Sequence, residues 1–356
     1  YNSKNTFVYD TNTKGFKLEP INMTNNLEKI IFNANASDSL STIIDVKFED
    51  VDLSKVTPEI DSLKLGGIVN GKLELLKSNG TYLPKSLLNI NSFNVNGFNL
   101  GAFEADISGN SSLTNYDVDI KIQNDLSESF SAVGNLDVSG DKSFLNLDLS
   151  FNEFILNPLN PFGGGAVSNI RGNVSGKSKI TGRLERPKIN GLLILDDGGF
   201  SIPYLNIDYQ FNNNSRIILA DQSFIFDSAN FIDTKFNSEA QLNGKMSHVN
   251  FTNWSLDTRI QTDRLLVLDT KQREESLYYG TGYVSGNIDV SGPMNQLFVE
   301  ANVSTSEGTI FKIPLSDSEM ISENSYIKFV NRDEKGNKST RNVKLDEIKG
   351  IEMEFN

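Results

Sequence analysis

The chain lacks cysteine altogether and has one histidine and one tryptophan among its 356 residues. Without cysteine, neither a disulfide framework nor thiol chemistry is available. A single histidine, His248, leaves little from which to build a catalytic triad or a zinc site. We therefore expect a protein that is not an enzyme, with no catalytic residues, no metal site and no cofactor.

Positive charge and long apolar runs are also scarce. Lys and Arg number 33 against 46 Asp and Glu, which gives a formal net charge of -13. Such a chain is a poor partner for nucleic acid, whose backbone requires clustered cations. No stretch approaches the ~20 apolar residues that a membrane helix needs. Because the chain begins at Tyr1 without a signal peptide, we expect a fragment of a longer protein, with any membrane anchor outside it.

A period of two residues dominates what is present. In "NIRGNVSGKSKITGRLERPKI" (169–189), the even positions from 170 to 184 are apolar, Ser or Gly, whereas the odd positions from 171 to 185 are polar. This alternation predicts a half-buried β-strand, and it recurs along the chain. The apolar residues that we expect to share one face are Val118, Ile120, Ile122, Leu136, Val138, Leu145, Leu147, Leu149, Phe151, Ile170, Val174, Ile180, Leu184, Ile207, Tyr209, Phe211, Val284, Ile288 and Val290.

The number of such runs predicts an all-β fold. The chain has room for about 25 strands, which would form a sheet roughly 100 Å long. A sheet of that length must curl, so we expect an elongated β-trough with an apolar interior groove; a row of β-sandwiches is the alternative. We expect a continuous trough over 1–330 with a loop at 157–169, a charged loop or linker at 331–349, and the start of a further strand at 350–356.

Glycines interrupt the apolar face in a repeated pattern. Gly172, Gly176, Gly182 and Gly198 each have a counterpart 110 residues further along, which indicates a repeated unit. Glycine inside a strand costs about 0.5–1 kcal/mol relative to alanine. Two explanations stay open: the glycines relieve crowding where the sheet curves around its own core, or they leave room for an apolar ligand. The candidate groove glycines are Gly172, Gly176, Gly182, Gly282, Gly286 and Gly292.

These repeats resemble the C-terminal region of the TamB family. The family pattern has a glycine-punctuated strand, a Gly-x-x-x-x-Pro step and a strand that ends in an apolar-Pro pair. Residues 277–330 look like the version found in the Bacteroidota, and the resemblance is good over about 172–330. The residues of the first copy that fit are Gly172, Gly176, Gly182, Pro187, Gly191, Gly198 and Pro203.

The resemblance implies a periplasmic protein of the AsmA-like bridge class, anchored in the inner membrane by an N-terminal segment that is missing here. Its groove would carry phospholipid acyl chains between the membranes, and its partner would be an outer-membrane barrel of the TamA/BamA-like type. The alternatives are a scaffold or chaperone for outer-membrane proteins that pairs strand edges, and a purely structural β-rod. A membrane barrel is disfavoured, because the phenylalanines are scattered and form no girdles.

Overall fold

The computed structural model describes residues 6–38, 40–58, 63–78, 81–110, 112, 114–124, 127–272, 278–314 and 352–355. These residues form 21 strands in one sheet, one short α-helix and one 3-10 helix. The strands are β1 Phe7–Tyr9, β2 Phe16–Asn25, β3 Glu28–Ala36, β4 Ser41–Asp52, β5 Leu65–Ser78, β6 Thr81–Val95, β7 Phe98–Gly109, β8 Asn115–Gln123, β9 Glu128–Asp137, β10 Phe144–Ile155, β11 Ser168–Arg183, β12 Arg186–Ile202, β13 Ile207–Phe211, β14 Ser215–Asp221, β15 Ser223–Asp233, β16 Glu239–Val249, β17 Thr252–Thr270, β18 Tyr279–Pro293, β19 Phe298–Thr305, β20 Ile310–Lys312 and β21 Glu352–Phe355.

The sheet is a meander, in which each strand from β1 to β12 pairs antiparallel with the next. β13 and β14 together act as one interrupted strand, because both pair with β12 and both pair with β15. β19 and β20 share β18 in the same way, and β21 runs parallel to β19. The predicted fold class, one long curled β-sheet, is confirmed, and the alternative of separate β-sandwiches is not observed.

Short turns explain why so many asparagines are present. Asn96 and Gly97 form the two-residue turn between β6 and β7, and both have positive φ, at 55° and 89°. Such a turn matches the twist of a hairpin, and Asn and Gly reach positive φ most easily. Asn26 and Asn250 adopt positive φ in turns further along the chain. The polar turns therefore place successive strands side by side without long connections.

The turns lie along two long edges of the sheet. We call one the Asn96 edge, which includes the turns at 26–27, 96–97 and 203–206. The other is the Leu184 edge, which includes the turns at 139–143, 184–185, 250–251 and 294–297. Each edge consists of hairpin ends, so both are positioned by the meander.

The loop predicted at 157–169 contains a 3-10 helix at Asn157–Gly163, and β11 begins at Ser168. The Asn160 side chain holds this loop, since its Nδ2 donates to Ile170 O at 2.9 Å and its Oδ1 accepts from Ile170 N. Asn96 Nδ2 donates to Pro158 O at 2.7 Å and thereby ties the loop to an earlier turn of the Asn96 edge.

Two remaining features bear on how the chain is organised. The short α1 helix, Leu53–Val56, is capped by the Asp52 carboxylate, which accepts from Ser54 N. No helix in the described part of the chain is long and apolar enough to cross a membrane. The charged stretch 331–349 lies outside the described residues, and β21 covers 352–355 near the end of the chain.

Candidate functional site

An unbroken row of directly opposed residues crosses the sheet from β2 to β18. Only one of its members, Ser178, is polar, and none is charged. Because residues two apart on a strand share a face, this central row marks a continuous apolar surface. The central row is Met23, Ile30, Phe48, Gly71, Leu88, Ala105, Ile120, Ala132, Leu149, Ser178, Gly191, Leu219, Phe224, Met246, Leu256 and Gly292.

Two further rows flank the central one, and each contains one hydroxyl side chain and no charge. We call the three rows together the apolar face. One flanking row is Val51, Val69, Ile90, Phe103, Ile122, Phe130, Phe151, Gly176, Leu193, Ile217, Phe226, Gly244, Thr258, Val290 and Val299. The other is Ile21, Phe32, Val46, Leu73, Ser86, Ile107, Val118, Gly134, Leu147, Ile180 and Ile189.

The opposite face of the sheet is mostly polar and carries cross-strand ion pairs, with one apolar patch at Leu192, Ile218 and Ile225. Lys179 Nζ lies 3.3 Å from Asp148 Oδ1, and Arg259 Nε lies 2.7 Å from Asp289 Oδ1. This separation of faces follows directly from the alternating sequence. The sheet therefore offers water one charged side and retains one apolar side.

Much of the apolar face remains half-buried. Ile30, Phe48 and Leu88 in the central row are half-buried, and so are Phe224 and Leu256 near its other end. Side chains sealed inside a β-sandwich core would be covered by a second sheet about 10 Å away. The central row is accordingly accessible in β2–β6 and in β15–β18, whereas Ala132, Leu149 and Leu219 between them are buried.

The protein's own side chains fill the interior in two places. The mid-sheet cluster, on β9–β12 and β14, buries Ala132, Leu149, Val174, Ile189, Leu193, Leu195, Ile217 and Leu219.

The second place, which we call the packed cluster, lies against the Asn96 edge between β12 and β18. Its buried members are Ile207, Tyr209, Phe231, Ala240, Leu265, Leu266 and Tyr283. The sheet curls tightly here, since Asp269 N donates to Leu205 O at 3.0 Å and the Tyr209 hydroxyl donates to Leu266 O at 2.7 Å. Burial raises the pKa of Tyr209 well above its ordinary value.

The structure brings together most of the residues predicted to line a groove. Val118, Ile120, Ile122, Leu147, Leu149, Phe151, Ile180 and Val290 lie in the three rows. Leu136, Leu145, Val174, Val284 and Ile288 lie beside them, at two-residue intervals on the same strands. Val138 packs against the Tyr116–Leu136 cluster, Phe211 packs against both the mid-sheet cluster and the packed cluster, and Ile170 is half-buried.

Five predicted lining residues differ from that expectation, among them Leu149 and Val174, which are buried in the mid-sheet cluster. Leu184 lies in the turn between β11 and β12, where it is 49% exposed, because the alternation ends at the hairpin. Ile207 and Tyr209 belong to the packed cluster, so they contact the chain's own side chains rather than an open groove.

Sequence reasoning missed the apolar residues that β2–β7, β12, β14–β17 and β19 contribute to this face. In β3 the signal was present, because Ile30, Phe32 and Ala34 alternate with other residues. In β12 the signal was hidden, since Leu192 and Ile194 place apolar side chains on the outer face as well. A run that is apolar on both faces shows no period of two.

The structure shows why glycine is required at two of the predicted groove positions. An added Cβ on Gly176 would lie 2.3 Å from Leu192 O of the next strand, and φ there is 150°. Gly286, its counterpart in the repeat, has the same relation to Asn302 O, also at 2.3 Å. These two glycines therefore permit close approach of the sheet's own backbone, which favours the first of the two explanations. Gly172, Gly182 and Gly292 also have positive φ, whereas Gly282 does not.

The single histidine belongs to an aromatic cluster at the Leu184 edge. His248 is buried, its Nδ1 accepts from Phe251 N at 3.0 Å, and its ring stacks on Phe251 with 4.4 Å between centroids. The Trp254 ring lies 4.7 Å away. Burial lowers the pKa of His248, which favours its neutral form. In the described residues no group of three potential metal ligands comes together.

A partly buried ion pair joins three strands on the outer face. Arg171 donates to both oxygens of Asp208, at 2.9 and 2.8 Å, and Ser201 and Thr234 donate to the same carboxylate. Burial alone would raise the pKa of Asp208, but these hydrogen bonds outweigh it and hold the pKa below its ordinary value. Gly199 makes the pair possible, because an added Cβ there would lie 2.6 Å from Arg171 Cζ.

Comparison with known proteins adds one finding. Residues 229–355 match the family model described as the TamB C-terminal domain. This match overlaps the stretch 172–330 in which the repeats resemble that family. No curated protein matches the chain, and no solved structure matches it.

Proposed function

Because the chain belongs to the TamB family, we propose that its apolar face holds phospholipid acyl chains and guides them between the inner and outer membranes. Proteins of this family belong to the cell envelope and are associated with outer-membrane assembly and lipid transport. In this proposal the chain lies in the periplasm, an inner-membrane anchor outside it supplies one end, and a TamA/BamA-like barrel receives the other.

The observation that carries the proposal is the central row. It crosses from β2 to β18 without a charge, and residues such as Ile30, Phe48 and Leu256 in it are half-buried rather than sealed. Acyl chains are held by apolar area at roughly 25 cal/mol per Å², without directional bonds. A chain can therefore move along such a row without breaking specific contacts, which suits a conduit rather than a single binding site.

The packed cluster is compatible with this path. It fills the interior near the Asn96 edge at Tyr209, Leu265 and Leu266, whereas Phe224, Met246 and Leu256 of the central row remain half-buried beside it. The packed cluster then narrows the groove from one edge and leaves the central row accessible at β15–β17, whereas Ala132, Leu149 and Leu219 in the middle of the row are buried.

The test places a charge on the apolar face and compares it with a charge on the outer face. Ile180 of β11 lies on the apolar face, and Ile218 of β14 lies on the outer face between Leu192 and Ile225; both are half-buried. We expect Ile180→Asp to remove most phospholipid that copurifies from a bacterial host, and Ile218→Asp to leave it. Mass spectrometry of gently extracted protein measures the lipid, and circular dichroism reports the β-content.

Two results would contradict the conduit. Absence of phospholipid from the unchanged chain would favour a structural rod. Equal lipid in both variants would show that the apolar face does not hold the chains. A proline at Glu354 in β21 separates the scaffold alternative, since blocked strand pairing should impair outer-membrane protein assembly without altering lipid content.

A further inference from the structure

Two buried polar atoms on the apolar face have no hydrogen-bond partner in the protein. Tyr116 is 1% exposed and His248 is 4% exposed, yet Tyr116 Oη and His248 Nε2 contact no hydrogen-bonding group among the described residues. Buried polar side chains in folded proteins are nearly always hydrogen-bonded. Groups that break such a rule are concentrated at functional sites.

Both atoms carry a proton. His248 Nδ1 accepts from Phe251 N at 3.0 Å and burial lowers the pKa of His248, so the neutral ring has its proton on Nε2. Burial and the negative charge of Glu74 raise the pKa of Tyr116, which keeps its hydroxyl protonated. The missing partner is therefore an acceptor in both places, such as an ester or phosphate oxygen.

The strand register places both donors on the apolar face. Tyr116 is two residues from Val118 of a flanking row, and His248 is two residues from Met246 of the central row. The His248 ring also lies 5.9 Å, between centroids, from the ring of Phe224 in the central row. Both donors thus share the face on which acyl chains are proposed to lie.

Both donors also lie near the same border of that face. Tyr116 pairs with Leu136, three residues before the turn at 139–143, and His248 lies two residues before the turn at 250–251. These turns belong to the Leu184 edge, whereas the packed cluster fills the interior against the Asn96 edge. The border with unpartnered donors is therefore opposite the border that the chain fills itself.

Tyr209 provides the contrast within the packed cluster. It is buried like Tyr116, but its hydroxyl donates to Leu266 O at 2.7 Å. Ser178 Oγ in the central row also lacks a protein partner, but a Cβ added to Gly191 would lie 2.5 Å from Ser178 Cβ, so the adjacent backbone leaves little room beside it. Only Tyr116 and His248 combine a missing acceptor with a place near the Leu184 edge.

From this arrangement we infer that Tyr116 Oη and His248 Nε2 donate hydrogen bonds to the polar end of a bound phospholipid. Acyl chains then lie across the central row, and the ester and phosphate oxygens lie at the Leu184 edge. The inference rests on the proposed function and adds the direction in which the lipid lies and two residues that contact its polar end.

The two donors contact different lipid molecules. The strands β8 and β16 are seven steps apart in the meander, which is roughly 34 Å at about 4.8 Å per strand. At His248 the polar end displaces a covering ring. Phe251 is 44% exposed at the end of the hairpin and is the ring free to move, since Trp254 Nε1 is held by Phe251 O at 3.1 Å.

Trp254 is a local reporter of this direction, because it is the single tryptophan of the chain and its ring lies 4.7 Å from that of His248. The full chain is loaded with phosphatidylcholine that is brominated either close to the ester group or close to the methyl end of the acyl chain. We expect the lipid brominated near the ester to quench Trp254 fluorescence more strongly. His248→Asn keeps an acceptor for Phe251 N and removes the Nε2 donor, and it should weaken this quenching titration about tenfold.

Tyr116→Phe tests the second donor without changing the shape of the side chain. Removal of an unpartnered hydroxyl should leave the denaturation midpoint of the lipid-free chain unchanged or raise it, and added phosphatidylcholine should raise the midpoint less than in the unchanged chain. The matched control is Tyr209→Phe, which loses the bond to Leu266 O. It should lower the lipid-free midpoint and leave the shift produced by lipid as it was.

The outcomes separate this inference from the proposed function. If no phospholipid quenches Trp254 or shifts the midpoint of the unchanged chain, the conduit itself fails. If both brominated lipids quench equally, or the one brominated near the methyl end quenches more, lipid binds but the direction is overturned. If the lipid responses of His248→Asn and Tyr116→Phe equal those of the unchanged chain, the two donors do not contact the polar end.

Discussion

Strands β2–β7 and the packed cluster present the same kind of face in two different states. In β2–β7, Phe32, Phe48 and Leu73 are half-buried, and the outer face carries ion pairs such as Lys72 with Asp45. In the packed cluster, Leu265 and Leu266 are each 1% exposed. The first region buries single side chains such as Val51 and Val69, at 2% and 3% exposure, whereas the second has a contiguous buried cluster.

The difference arises from how the backbone curls rather than from how apolar the strands are. In the packed cluster, the interruption between β13 and β14 and the turn at 203–206 let Leu205 and Asp269 approach to hydrogen-bonding distance. Among β2–β7, in the described residues, the principal contacts are between consecutive strands. Open and filled interiors can thus alternate within one sheet, which allows a single chain to combine a groove with stable segments.

Leucine truncation should expose this contrast most strongly. Leu265→Ala removes a fully buried side chain from the packed cluster and should cost about 3 kcal/mol, since the cavity cannot easily collapse. Leu73→Ala removes a half-buried side chain of β5 and should cost about 1 kcal/mol. Hydrogen exchange of peptides from each region measures the two losses separately, because strands contact mainly their neighbours.

Equal losses at the two leucines would contradict the comparison. A cost at Leu73 near that of Leu265 would mean that β2–β7 has a sealed core in solution. Added phospholipid sharpens the test further: it should protect β5 in the unchanged chain and have less effect on β17.

The period of two was sufficient to predict the fold class and the face of most lining residues. Val118, Leu147 and Ile180 are placed by alternation alone, because a strand gives each side chain only two directions. The packed cluster could not be predicted in this way. It depends on distant contacts such as that between Tyr209 and Leu266, which local periodicity does not encode.

The hairpin between β11 and β12 shows a second limit of sequence reading. Arg183 and Arg186 look like ordinary solvated residues near a turn, and only the register shows that they oppose each other. The register also shows that Lys188 has Asp221 as a partner whereas the arginines have none among the described residues. Pairing across strands, not composition, shows which charges have partners.

Alanine substitution of glycine should give the next largest effect. Gly176→Ala places a Cβ 2.3 Å from Leu192 O and forces alanine to a φ of 150°, so we expect a loss of about 2 kcal/mol. Gly66→Ala in β5 meets only Asn94 Cβ at 3.5 Å and should change stability by less than about 0.5 kcal/mol. Denaturation midpoints of the two variants provide the measurement. A tolerated Gly176→Ala would mean that the glycine serves a guest rather than the sheet.

The smallest effect contrasts ion pairs in the two regions. Because the pKa of Asp208 is lowered in the folded state, its contribution is complete above the ordinary carboxyl pKa near 4 and is lost as pH falls through the lowered value. Asp208→Asn should therefore cost about 1 kcal/mol at pH 7 and nothing at low pH. The difference in stability between the variant and the unchanged chain, followed by hydrogen exchange of β12 and β13 from pH 7 to pH 3, isolates this carboxylate from the others.

The ion pair of Lys72 with Asp45 in the other region should contribute less. Lys72 in β5 is 53% exposed, so Lys72→Ala should cost less than about 0.5 kcal/mol, and this cost should vanish in 1 M salt. If the cost of Asp208→Asn also vanished in 1 M salt, the Arg171–Asp208 pair would be as solvated as the Lys72–Asp45 pair. The ion pairs of the outer face would then not differ between the two regions.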